Sequence, residues 1–178
     1  MVERVSYKIL KKINNIEIRH YPEILLASTV NESENKSFRI LFEYISGNNK
    51  SRKQITMTSP VITFEKIPMK SPVITINNYM AFSLPMEYTL DTAPKPNNPA
   101  VSIEFKPKRT LAVIIFSGKV NRSRFEKNLK LLKEKLQTIG IEYTEEVYLF
   151  RYNSPFTPSF FRKNEVAIEI KNPQFKFS

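Results

Sequence analysis

His20 is the only imidazole in the chain. Any serine–histidine relay or imidazole–metal bond therefore depends on that one residue. Cysteine is absent, which excludes disulfides, zinc–thiolate sites, iron–sulfur clusters and a thiol nucleophile. The methionines after Met1 offer thioether sulfur, and Met57 sits in a Met-Thr-x-Pro string, although a methionine in an apolar strand is usually core filler. Glu142, Glu145 and Glu146 gather before a strand that contains Tyr148. No G-x-S-x-G, Walker loop or H-E-x-x-H string accompanies them. The chain is expected not to be an enzyme. Its charge is more informative. With 28 Lys and Arg against 17 Asp and Glu the net charge is +11, so anionic partners are favoured: nucleic acid, a membrane surface, or a ligand carrying carboxylates or phosphates. Arg39, Lys50, Arg52 and Lys53 lie on or just after one amphipathic run. Lys119, Arg122, Arg124, Lys127, Lys130, Lys133 and Lys135 line the approach to a second. No helix-turn-helix, zinc-finger or RNA-recognition string supports a nucleic-acid partner.

The elements that must position these groups can be read from periodicity. At 178 residues with 41% apolar and 25% charged side chains, the chain fits a single domain with a real core. It has no stretch near the roughly 18 apolar residues of a membrane helix, and its start lacks a signal peptide's apolar block. A cytoplasmic location is the expectation. Phe38, Leu41, Phe42 and Ile45 share one helical face and predict a helix over 34–46. Phe125, Leu129, Leu132, Leu136 and Ile139 predict a second over 122–139, capped by Asn121 or by a Ser123–Glu126 capping box. Gly47 and Gly140 follow these runs as helix ends, and Gly118 closes a strand. Strands are expected at 16–21, 24–30, 55–64, 73–84, 101–105, 111–116, 147–152 and 166–170. Residues 91–99, with Pro94, Pro96 and Pro99, read as an extended surface connection.

An internal echo organises the whole. Ile16-x-Ile18-x3-Pro22-x3-Leu26-Ala27 returns 85 residues later as Val101-x-Ile103-x3-Pro107-x3-Leu111-Ala112. Two β-α-β-β halves related by a pseudo-twofold, about 16–90 and 100–171, fit this pattern, joined by loop 91–99. Two one-sided helices need something flat and apolar beneath them. The predicted fold is α+β: a distorted antiparallel β-barrel or curved sheet, closed or nearly so, carrying two helices. Ser59-Pro60-Val61-Ile62-Thr63 and Ser71-Pro72-Val73-Ile74-Thr75 form a shorter echo, read as two arms of a hairpin.

Six strings in order resemble the SOUL/heme-binding protein family: Ile16-Glu17-Ile18-Arg19-His20-Tyr21; Phe42-x-Tyr44-Ile45-x-Gly47-x-Asn49; Ile55-x-Met57-Thr58-x-Pro60-Val61; Phe82-x-Leu84-Pro85 with the Pro94/Pro96 loop; Phe116-Ser117-Gly118; and Tyr152-Asn153-Ser154-Pro155 with Arg162-Lys163-Asn164-Glu165-Val166. They span about 16–170. The resemblance implies a β-α-β-β repeat fold, shared with effector-binding domains, and non-catalytic binding of heme or another tetrapyrrole. It makes His20 a candidate axial ligand; the bland alternative is a packed strand histidine with one hydrogen bond. Phe38, Phe42 and Met57 are candidates for an apolar slot, or else ordinary core. Arg39, Lys50, Arg52 and Lys53 are candidates for the propionates, or else a solvated turn. Glu43 stands where heme-binding relatives carry a lysine before the tyrosine, which shifts the expected anion site to the loop. The alternative function is a module for another small amphipathic ligand. Oligomeric state stays open.

Overall fold

Alternation of branched and aromatic residues with polar ones makes strand the main regular structure of this chain. The computed structural model describes residues 3–31, 33–66, 79–153 and 157–171. In chain order the elements are β1 (Glu3–Arg4), β2 (Lys8–Ile13), β3 (Ile16–Tyr21), β4 (Ile24–Val30), α1 (Glu34–Ile45), β5 (Thr58–Lys66), β6 (Tyr79–Ser83), β7 (Ser102–Lys106), β8 (Arg109–Ser117), α2 (Arg122–Thr138), β9 (Tyr143–Arg151) and β10 (Lys163–Ile170). A short 3-10 turn, Ser159–Phe161, precedes β10. The second arm of the short echo, 71–75, lies outside the described residues.

The strands form one curled antiparallel sheet in the order β2-β3-β8-β10-β9-β5-β6-β4-β7, with β1 parallel to β5 off this path. With β2 set aside, the order is symmetric about the β9–β5 junction. β8-β10-β9 on one side mirrors β4-β6-β5 on the other, each followed outward by a strand from the opposite half of the chain. β2 and β7 are the edges, so the sheet is a half-barrel rather than a closed one. β2 was not foreseen. Its sequence KILKKI is largely exposed, and its lysines discourage pairing with a further chain.

Both helices lie on the same face of the sheet. α2 covers β8 and β10 and buries Phe125, Leu129, Leu132 and Leu136 against Ile16, Ile18, Ile114 and Val166. Asn121 caps it, its Oδ1 accepting from Arg124 N–H at 2.9 Å. The Ser123–Glu126 box does not form; Glu126 instead accepts from Arg122 Nε at 2.8 Å. α1 covers β4 and β6. Its buried stripe is Ser37, Ile40, Leu41, Tyr44 and Ile45, rotated from the expected one, and Phe42 is 47% exposed. The rotation has a local cause. Segment 91–99 does not run free over the surface but folds against α1. Tyr44 Oη donates to Pro94 O at 2.7 Å, Ala93 is buried, and Asn49 bridges Pro96. Buried Asn49 then ties the turn after α1, its Nδ2 donating to Tyr44 O and Lys53 O.

The opposite face of the sheet carries a third apolar cluster, including Leu26, Ile62, Leu111 and Phe150, and a buried polar knot beside it. Arg19 is fully buried and grips Glu165 bidentately, Nη1 to Oε2 at 2.7 Å and Nη2 to Oε1 at 3.0 Å. Its Nε donates to Glu17 at 2.8 Å and Nη1 also reaches Tyr21 Oη at 3.2 Å. Tyr152 Oη donates to Glu165 at 2.7 Å.

Candidate ligand-binding site

Between the N-terminal ends of α1 and α2, on the helical face, lies a cavity of about 340 Å³. Phe38 of α1, Val61 of β5 and Met80 of β6 supply its apolar wall. Lys119, Arg151 and Arg162 supply cations, and Glu34, Asn153 and Asn164 are further polar members. That volume is within the roughly 300–1,000 Å³ range of small-molecule pockets.

Local chain geometry explains how the cations arrive. Gly118 ends β8 with φ +105°, a conformation open to glycine and strained for other residues. Its N–H donates to Arg162 O at 3.0 Å and its carbonyl accepts from buried Asn164 Nδ2 at 2.8 Å. This stitches the chain before α2 to the chain before β10 and sets Lys119 and Arg162 on one rim. Arg124 reaches back to Ser117 O at 2.9 Å. Arg151, the last residue of β9, holds Glu34 through Nη1 and Nη2 at 2.8 and 2.7 Å. Those hydrogen bonds are the main cause of a Glu34 carboxyl pKa below the ordinary value, outweighing the upward push of burial. Arg151 Nε is buried with no hydrogen-bond partner among the described residues, a donor still available at the cavity wall.

The residues singled out in the sequence scatter. Phe38 lines the cavity, stacked on Phe42 at 6.0 Å and edge-on to Phe82 at 5.4 Å. Phe42 lies towards solvent, and Met57 packs on the cluster beneath α1. Arg39 points outward, 3.9 Å from Glu43. Lys50, Arg52 and Lys53 are exposed beyond the far end of α1, with Lys53 over the Tyr88 ring at 5.1 Å. A 12-residue helix puts that loop about 18 Å from the cavity end.

His20 is partly buried on β3, with Nδ1 3.2 Å from Thr110 Oγ1. β3 and β5 are four strand spacings apart in the sheet, roughly 19 Å along its surface. Thr110 is also seven residues from Ser117, at the cavity end of β8, roughly a further 23 Å of strand. One planar ligand does not bridge His20 and Phe38.

Lys119, Arg151, Val61 and Met80 are among the site members that sequence reading did not assign, and Arg162 and Asn164 were read as structural. They come from separate strands and connections, so no single local period marks them as one face. The usable signal was the convergence of Phe116-Ser117-Gly118 with the Arg162–Glu165 string, since both frame one rim. On the opposite face, Tyr148 Oη donates to Glu146 at 2.8 Å. Burial pushes that phenol up, so it is a weaker acid there. No group of three or more His, Cys, Asp or Glu side chains is placed to hold a metal ion among the described residues.

The architecture is that of a curled α+β half-barrel with two helices, and solved structures share it. The C-terminal domain of EcmrR superposes with TM-score 0.63 at 12% identity, covering 93% of this chain and 98% of that one. A hydrolase encoded by lin2189 of Listeria innocua superposes with TM-score 0.66 at 11% identity, covering 91% and 94%. At such identities the likeness is one of fold. Sequence goes further. The SOUL heme-binding protein profile matches residues 2–169, and the chain belongs to that family. Heme-binding protein 2 of Homo sapiens is 32% identical over 170 residues, covering 90% of this chain and 80% of the human protein.

Proposed function

We propose that this protein binds heme or a related planar tetrapyrrole without transforming it, for transport, buffering or sensing, in the cavity between the two helix N-termini. The observation that carries the reading is the pairing, in one 340 Å³ cavity, of an apolar wall with three cations. Relatives in its family are named for heme binding. A tetrapyrrole with two propionates needs both an apolar surface and cations. Phe38, Val61 and Met80 would take the apolar face, and Lys119, Arg151 and Arg162 the carboxylates. The orphan Arg151 Nε fits an incoming carboxylate oxygen. A bound heme would supply an iron able to take an axial donor, and among the described residues Met80 is the one sulfur or imidazole residue lining the cavity. On this reading His20 is not that donor.

A second reading, a different small amphipathic ligand, is favoured by Glu34. Its carboxylate already occupies two donors of Arg151 and would compete with a propionate. Hemin titration followed at the Soret band separates the two. The native protein should saturate. His20→Ala should bind with the same spectrum, and Arg151→Gln about tenfold more weakly, the loss of one charge-assisted contact. A Soret spectrum that changes in His20→Ala would instead return the axial role to His20 and move the site. No saturable binding would leave the second reading.

A further inference from the structure

We propose that the Phe160–Phe161 turn, with the cations around it, docks this protein on an anionic lipid bilayer surface. Phe160 and Phe161 are each 69% exposed, with ring centroids 4.2 Å apart. Two adjacent bare phenyl rings are costly in water unless something covers them. They are held out by built structure. Phe161 N–H donates to Pro158 O at 3.0 Å, and Arg162 N–H to Ser159 O at 3.2 Å. Arg162 Nε donates to Thr157 O at 2.7 Å, and its carbonyl is pinned by Gly118 N–H. The backbone is therefore tied on both sides of the pair.

The surroundings are cationic. Arg162 and Lys163 follow the rings directly. The Gly118 stitch brings Lys119 alongside, and Arg122 and Arg124 open α2 close by. Arg124 donates to the Ser117 carbonyl and Arg162 to the Thr157 carbonyl. Glu126 offsets Arg122, and buried Glu165 lies 3.0 Å from Lys163. The whole chain carries +11.

A bilayer is the occupant this chemistry fits. Phenyl rings enter the headgroup–acyl boundary, while lysine and arginine meet anionic headgroups a few ångströms above it. Neither requirement calls for a shaped groove, and the turn offers a knob. Its position adds a reason. Asn153 and Arg162, at the two ends of the segment carrying the rings, both line the cavity. Docking would present the cavity to the membrane, where amphipathic ligands concentrate.

Sedimentation with phosphatidylcholine vesicles, with and without phosphatidylserine, tests this. The native protein should pellet with the mixed vesicles at low salt, weaken as salt screens the attraction, and stay free of pure phosphatidylcholine. Phe160→Ser/Phe161→Ser should bind at least about tenfold more weakly, from the lost apolar insertion, with an unchanged melting temperature. The chain has no tryptophan, so Phe161→Trp gives a single reporter. Its emission should shift to the blue and be quenched by brominated lipid. No pelleting with anionic vesicles overturns the proposal. So does undiminished pelleting of the double serine variant, which would mean charge alone, or a Phe161→Trp emission that ignores the vesicles, which would leave the rings to a protein partner.

Discussion

Arg19 and Glu165 are 146 positions apart and share two hydrogen bonds with no solvent between them. Burial alone would push the Glu165 carboxyl up. The hydrogen bonds and charge of Arg19, helped by Tyr152 and Lys163, outweigh it and hold the group below its ordinary value. Removing one partner of such a pair strands the other in a dry interior. Arg19→Leu should therefore cost about 3–5 kcal/mol in urea unfolding. The pH sign follows from linkage. A depressed carboxylate leaves the unfolded chain holding more protons once pH drops below the ordinary value of about 4.3. Its stabilisation is complete above that pH and is lost as pH falls towards the folded pKa. Glu165→Gln should be less stable than the native protein at pH 7, and its stability should depend less on pH below about 4.3. A native stability that stays flat as pH falls from about 5 to about 3, through the ordinary carboxylate value, would contradict this. At this scale the sequence was half legible. His20 shares strand parity with Ile16 and Ile18, and its ring makes a hydrogen bond to Thr110 on that face. Arg19, its neighbour in the same string, carried no periodic mark of the partner it meets across the sheet.

Both helices were legible as elements, and to within a residue of their observed ends. The face of α1 was less so, because Ile40 and Tyr44 form as good a stripe with Leu41 and Ile45 as Phe38 and Phe42 do. Only the contact of Tyr44 with Pro94, from a segment 50 residues away, decides between them. The expected cations lie apart from the cavity. Lys50, Arg52 and Lys53 are next to α1 in sequence but at the opposite end from the cavity. The stitch at Gly118 is the element-scale device that builds the rim. An alanine there would have to adopt φ +105°, with a Cβ 2.1 Å from Arg124 Nη1. The side chain of Arg124 can swing away, but the backbone cannot. Gly118→Ala should therefore destabilise by about 1 kcal/mol or more, and Gly118→Ala/Arg124→Ala should not recover it. Recovery in the double variant, read from thermal melts, would place the cost in the side-chain clash instead.

At the scale of the molecule, the 85-residue echo foreshadowed a sheet whose strand order, β2 apart, reads alike from either side. A repeat survives in sequence because each copy must bury the same apolar faces under the same helix. The cavity lies where that repetition meets, between the ends of two helices. Its cations come from two connections and the last residue of β9, outside the echoed strings, and so they had no echo to betray them. Val61, on β5 at the centre of the symmetric order, is a wall of the cavity that can be enlarged without removing any charge. The most direct measurement is hemin binding to the native protein and to Val61→Trp, by Soret titration with a thermal melt of each. Saturable binding by the native protein, weakened about tenfold or more when an indole fills the cavity of a still-folded variant, is the predicted result. Equal binding by the two folded proteins would contradict the account, because the ligand would then lie elsewhere.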